Sequence, residues 1–215
     1  MYTLIKQNIE ALLAAINRQD DIQPYVWLLE TLPNVDIAEH AEFQRVYRRY
    51  WQLNPARLSP EYLAAYFAYL EQLKRQPIEE VTVETAARHF LTVPTHRNGR
   101  QSLQFSFASK LVHMLRTEQP VYDSMVESFS FLPSGGAKKT TEQKLARLLV
   151  SHTFLYHEYE RVLQRGLLAA AIARFREHFQ VNEGYSDRKV IDTLIWKFVG
   201  FLKSGAIRDG VVVYG

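Results

Sequence analysis

Lys110 and Asp123 are the residues whose types and spacing most suggest chemistry. They stand thirteen positions apart in A-S-K-L-V-H-M-L-R-T-E-Q-P-V-Y-D-S-M-V, residues 108–126. At helical spacing Phe107, Leu111, Met114 and Leu115 make an apolar face. Lys110, three after Phe107 and four before Met114, borders that face. Burial disfavours the charged form of an amine, so a half-buried lysine moves toward a usable nucleophile. Pro120 ends the connection and Asp123 opens the next helix, where backbone N–H groups fix and aim an N-cap carboxylate. A plainer account uses the same residues: a lysine that reaches water from the edge of an apolar stripe, and an aspartate that only caps.

Other constellations are weaker. P-S-G-G-A-K-K-T-T, residues 133–141, imitates a phosphate-binding loop at a helix start. It breaks the G-x-x-x-x-G-K-[ST] pattern because alanine precedes Lys138, and no parallel sheet accompanies it. A basic turn that touches nucleic acid fits it better. His152 and His157, five apart, fall on different helix faces, so no metal site is expected. Tyr47, Arg48, Arg49, Tyr50 and Trp51 mix stacking and charge as base-binding surfaces do, but Tyr47, Tyr50 and Trp51 also have core spacing. Tyr62, Tyr66 and Tyr69 read as core in the same way.

Helices must position these groups. Apolar stripes predict helices over about 2–18, 24–32, 36–53 (capped by Asp36), 60–73 after the Ser59-Pro60-Glu61 start signal, and 82–92. Residues 93–101 read as a loop, followed by helices at 106–117 and 123–131. The punctuation at 133–136 precedes a helical stretch over 141–179 bent at Gly166. Ser186 caps a last helix to Lys203 that turns Ile191, Leu194, Ile195, Phe198 and Leu202 inward, and V-V-V-Y suits one edge strand. The expectation is an all-α single domain over 1–215 of about nine helices, with a lobe boundary and cleft near 133–140.

The hydrophobic fraction of 47% predicts a packed core. No cysteine is present, which excludes disulfides and thiolate metal sites and fits a cytoplasmic protein. The N-terminal residues lack the pattern of a signal peptide, and the longest apolar run, residues 167–173, is far too short to span a bilayer. Net charge is +3, but from Thr85 to Thr117 there is no acid, while Arg88, Arg97, Arg100, Lys110 and Arg116 are present. Gathered on one face, these would suit phosphates.

A-S-K-L-V-H-M-L followed by P-V-Y-D-S-M-V resembles a segment of the helix-hairpin-helix base-excision DNA glycosylases, and of bacterial proteins with the 8-oxoguanine-glycosylase fold. The resemblance covers residues 108–126, and S-D-R-K-V-I-D-T-L-I-W (186–196) is similar to a C-terminal helix of the bacterial relatives, without an assigned role. It implies that Lys110 is the amine that forms a Schiff base and Asp123 the carboxylate that assists it, acting on a nucleotide flipped from duplex DNA. Arg97, Arg100, Lys138 and Lys139 would then contact phosphates, and no cofactor or metal is needed. The chain departs from the family where a glycine hairpin normally grips a phosphate, carrying R-N-G-R-Q-S-L-Q-F-S-F-A-S there, and its Lys-to-Asp spacing is shorter. The alternative expectation is a non-catalytic helical protein that binds a protein or nucleic-acid partner in bacterial stress or defence.

Overall fold

The structure, a computed structural model, describes residues 1–53, 58–132, 139–208 and 210–212. The described residues form eleven α-helices, nine of them of seven residues or more, so the all-α expectation holds. They are α1 (Tyr2–Gln7), α2 (Ile9–Ala15), α3 (Gln23–Thr31), α4 (Ala41–Tyr50), α5 (Pro60–Leu73) and α6 (Val83–Leu91). After them come α7 (Phe105–Leu115), α8 (Ser124–Phe129), α9 (Thr141–Gln164), α10 (Ala169–Phe179) and α11 (Asp187–Ser204). A π-helical turn spans Arg18–Ile22, and β1 (Ile207–Arg208) pairs antiparallel with β2 (Val211–Val212).

One contiguous apolar core joins these helices. α11 touches α1, α2, α8, α9, α10 and β1, α6 lies against α7, and α3 lies against α4. No helix is long and apolar enough to cross a membrane among the described residues. The tyrosines 47, 62 and 66 are fully buried, and Tyr69 nearly so, as their spacing suggests.

Several boundaries differ from expectation, each for a local reason. The first helix is broken at Asn8, whose side chain donates to the Leu4 carbonyl at 2.8 Å and to the Gly210 carbonyl at 2.8 Å. Its Oδ1 accepts from the Val212 amide at 2.9 Å, so the residue serves the C-terminal hairpin instead of the helix interior. The tail is therefore half of a hairpin, not a lone edge strand. His40, not Asp36, caps α4, with its Nδ1 accepting from the Phe43 amide, while Asp36 caps a tight turn at the Ala38 amide. The stretch after Thr141 is two helices, parted at Gly166, where φ is +60°. Leu202 lies outside the core, 39% exposed. Most of the expected lobe boundary, residues 133–138, lies outside the described residues.

Replacing Asn8 with alanine removes three hydrogen bonds. We expect a loss of about 1–3 kcal/mol in denaturant unfolding, with faster amide exchange at Val212.

Candidate active site

α7 is enclosed along nearly its whole length, with residues 107 to 114 all buried. Lys110 is therefore not at a wet edge, as its spacing suggests, but 8% exposed. Its ammonium donates one hydrogen bond, to the Trp51 carbonyl at 3.1 Å, and lies 5.4 Å from the centre of the Phe107 ring. That carbonyl is available because α4 ends there. Gln52 takes a left-handed conformation with φ of 56°, and the Leu53 amide turns back to Arg48. Carbonyls in the last turn of a helix lack internal partners, and Lys110 supplies one.

Asp123 is the N-cap of α8, as expected. Its Oδ1 accepts from the Met125 and Val126 amides at 2.9 and 3.0 Å, and Oδ2 makes no hydrogen bond among the described residues. Burial and the nearby Asp192 carboxylate raise its pKa, opposed by Lys110 and the two amides. Burial lowers the pKa of Lys110, with Lys189 acting in the same direction and Asp123 and Asp192 against it. Lys110 and Asp123 influence one another by charge, and both line one cavity of about 480 Å³.

The connector between the two residues is clamped by buried side chains. The Ser109 hydroxyl accepts from the Tyr122 amide at 3.0 Å, which ties the neighbour of Lys110 to the neighbour of Asp123. His152 Nε2 donates to the Pro120 carbonyl at 2.9 Å. His113 Nδ1 lies 2.7 Å from the Gln119 carbonyl, and its Nε2 lies 2.9 Å from the Tyr25 hydroxyl. A carbonyl only accepts, so Nδ1 carries the proton and Tyr25 donates to Nε2. Burial and the Lys189 charge push the His113 pKa down to about 3, so the neutral ring persists at pH 7.

Of the rest of the cavity, sequence reasoning singled out Arg49, Tyr50 and Trp51, as a mixed stacking and charged cluster, but gave no role to Lys189, Asp192, Trp196, Asp20 or Asp21. α11 contributes Lys189, Asp192 and Trp196, the end of α4 contributes Tyr50 and Trp51, and the π turn contributes Asp20 and Asp21. Lys189 Nζ donates to Asp192 Oδ2 at 2.7 Å and lies 4.9 Å, 5.0 Å and 5.5 Å from the ring centres of Trp51, Tyr25 and Tyr50. Burial is the largest influence and opposes that charge, but the Asp192 carboxylate together with the Tyr185 and Tyr25 hydroxyls outweighs it and holds Lys189 above the ordinary lysine value. At the mouth, Arg49 pairs with Asp20 at 2.8 Å and Lys197 with Asp21 at 3.2 Å. The available signal was the i, i+3 lysine and aspartate in S-D-R-K-V-I-D-T, set among buried Val190, Ile191 and Leu194.

Arg97 and Arg100 are exposed in the loop over 93–101 and do not line the cavity. Lys139 is exposed beside α9, and Lys138 lies outside the described residues, as does most of the glycine loop. The acid-free stretch does not gather its charges on one face. Arg88 is paired with Glu84 and Glu142, Arg116 is paired with Glu118, and Lys110 and His113 are interior. His157 is exposed while His152 is buried, and no cluster of metal-ligating groups occurs among the described residues. Tyr50 and Trp51 belong to the packed interior and wall the cavity as well. Comparison with protein-family models, curated proteins and solved structures returned no match.

Two outcomes follow from this geometry. Ser109→Ala leaves the buried Tyr122 amide unpaired and is expected to cost about 1–3 kcal/mol, read by chemical denaturation. His113 takes a proton near pH 6.5 when unfolded but only near 3 when folded, so its contribution is complete above 6.5 and lost as pH falls toward 3. Within that window it removes about 1.4 kcal/mol of stability per pH unit. His113→Gln should show a correspondingly flatter acid limb in unfolding free energy against pH.

Proposed function

We propose that the cavity performs amine-based chemistry on DNA of the glycosylase and AP-lyase type, with Lys110 as nucleophile and Asp123 as its carboxylate. The observation that carries this reading is a buried lysine that, among the described residues, makes no ion pair, in one cavity with an aspartate whose second oxygen makes no hydrogen bond among them. Such a lysine is a poor structural choice. Holding an uncompensated amine in the interior costs stability that leucine or methionine at the same position would not. The bond to the Trp51 carbonyl is a structural return on that cost. Burial also lowers the pKa of Lys110, however, and an amine that gives up its proton more readily and lines a cavity is what Schiff-base formation needs. The volume lies within the range of small-ligand pockets, and Tyr50, Trp51 and Trp196 offer stacking surface to an extruded base.

In this mechanism the C1′–N bond breaks with its electron pair passing to the base, which takes up a proton. Asp123 Oδ2 faces the positive charge that develops on the sugar. The Lys110 amine adds to C1′ and loses a proton, and opening of the sugar ring gives the protonated imine, from which β-elimination cuts the strand. Arg45 and Arg49 on this cavity are the nearest candidates for phosphate contacts, since their exposed pairs with Glu42 and Asp20 are weak and exchange readily. Arg97 and Arg100, exposed and without ion pairs among the described residues, form an outlying set, with Lys138 and Lys139 as further candidates.

Borohydride trapping on duplexes with an abasic site or a damaged base tests the reading. The wild type should give a covalent adduct, and Lys110→Gln and Lys110→Met none. Lys110→Met should melt at or above the wild-type temperature, which separates loss of chemistry from loss of fold. Asp123→Asn should slow base release about a hundredfold while leaving trapping at a preformed abasic site. No adduct from the wild type on any duplex would assign the chain to non-catalytic binding.

A further inference from the structure

The cavity holds two buried lysines with opposite surroundings. Among the described residues Lys110 hydrogen-bonds to a carbonyl and to no carboxylate, whereas Lys189, 3% exposed, has Asp192 at 2.7 Å and three aromatic rings around its ammonium. Trp51 touches both, its carbonyl receiving Lys110 and its ring facing Lys189. We propose that Lys189 is a positioning residue for Lys110: by holding Asp192 in an ion pair and fixing a second positive charge in the cavity, it leaves the Lys110 amine free to act as the nucleophile. The inference rests on the reading of Lys110 as that nucleophile.

The charges that bear on Lys110 can be named element by element. Asp123 comes from the start of α8, and Asp192 and Lys189 come from α11. Farther out on the same cavity stand Asp20 and Asp21 of the π turn, with Arg45 and Arg49 of α4. Asp192 favours the charged form of Lys110 and Lys189 disfavours it. Without Lys189, the Asp192 carboxylate would be unpaired in the interior, and Lys110 would be the remaining buried ammonium lining that cavity. An interior carboxylate draws a cation to itself, so the amine would be held charged and would lose its nucleophilic pair. Three ring faces keep the Lys189 ammonium over the aromatic wall, which fixes its distance from Lys110.

The test measures the Lys110 amine without DNA. Propionaldehyde condenses with a neutral amine to an imine and water, and cyanoborohydride reduces that imine. Peptide mass spectrometry then reads modification of Lys110 alone, followed between about pH 6 and 10. In Lys189→Met, which keeps the apolar stem and loses the charge, the midpoint should rise by about one pH unit, with about tenfold less modification at pH 7. In Lys189→Met with Asp192→Asn, which leaves no unpaired charge, the midpoint should return to the wild-type value or below it. An unchanged midpoint in folded Lys189→Met, or a midpoint above wild type in the double variant, would overturn the proposal. If the single variant fails to fold, the double variant carries the test by itself. A shift without any DNA adduct would leave Lys189 as the residue that tunes the amine and remove the glycosylase reading, while an adduct without the shift would do the reverse.

Discussion

A charge taken into a helical interior must bring its own compensation, and the ion pair of Lys189 with Asp192 is where this fold meets that constraint most fully. The ammonium is enclosed by Tyr25, Tyr50 and Trp51, so the ends of α3 and α4 are bound to α11 by a contact that is both electrostatic and apolar. Tyr25 is fixed in turn by its hydroxyl, which donates to His113 on α7. Removing one member of such a pair is worse than having neither, because desolvation has already been incurred. Much of the aromatic packing around the cavity is thus oriented by one charged pair.

From there the dependence runs outward to the connector that sets Asp123. His113 accepts from Tyr25 on one side and donates to Gln119 on the other, so the orientation of a ring in α3 is passed to the loop before α8. Ser109 and His152 add the remaining ties, at Tyr122 and Pro120. A loop held by several buried side chains loses less order with temperature than one held only at its ends. The separation of Lys110 and Asp123 is therefore a property of the packed interior, not of loop length. Lys110 meets the same network from the opposite side, through the carbonyl of Trp51.

Local signals served where the feature itself was local. Asp123 caps α8 because an aspartate after a proline-bearing connection is a strong start signal, and Ser59 and Ser186 cap their helices for the same kind of reason. Lys110 was visible as a lysine beside an apolar stripe, but its depth was not, because α7 is covered on the polar side as well by elements distant in sequence. Lys189 and Asp192 stood in a segment, 186–196, to which the sequence assigned no role. Their burial arises only when α3, α4 and α11 meet, and no periodicity within α11 encodes that meeting. Asp36 was expected to cap α4, but the helix starts later, at His40, from where it turns Phe43 and Tyr47 inward. The cavity draws on residues from 19 to 197, so its lining has no contiguous signature.

Asn8 joins residues more than 200 positions apart, at Gly210 and Val212. During vectorial synthesis the break between α1 and α2 stays without these partners until the last helix and its hairpin have emerged. α11 likewise reaches α1 and α2 only then. Closure of this long-range contact is entropically late in any chain, and here it coincides with delivery of Lys189 and Asp192 to the cavity. Assembly of the ionisable cluster is therefore coupled to the emergence of α11, and a nascent product that stops before Lys189 would hold Lys110 and Asp123 without the pair that surrounds them in the fold.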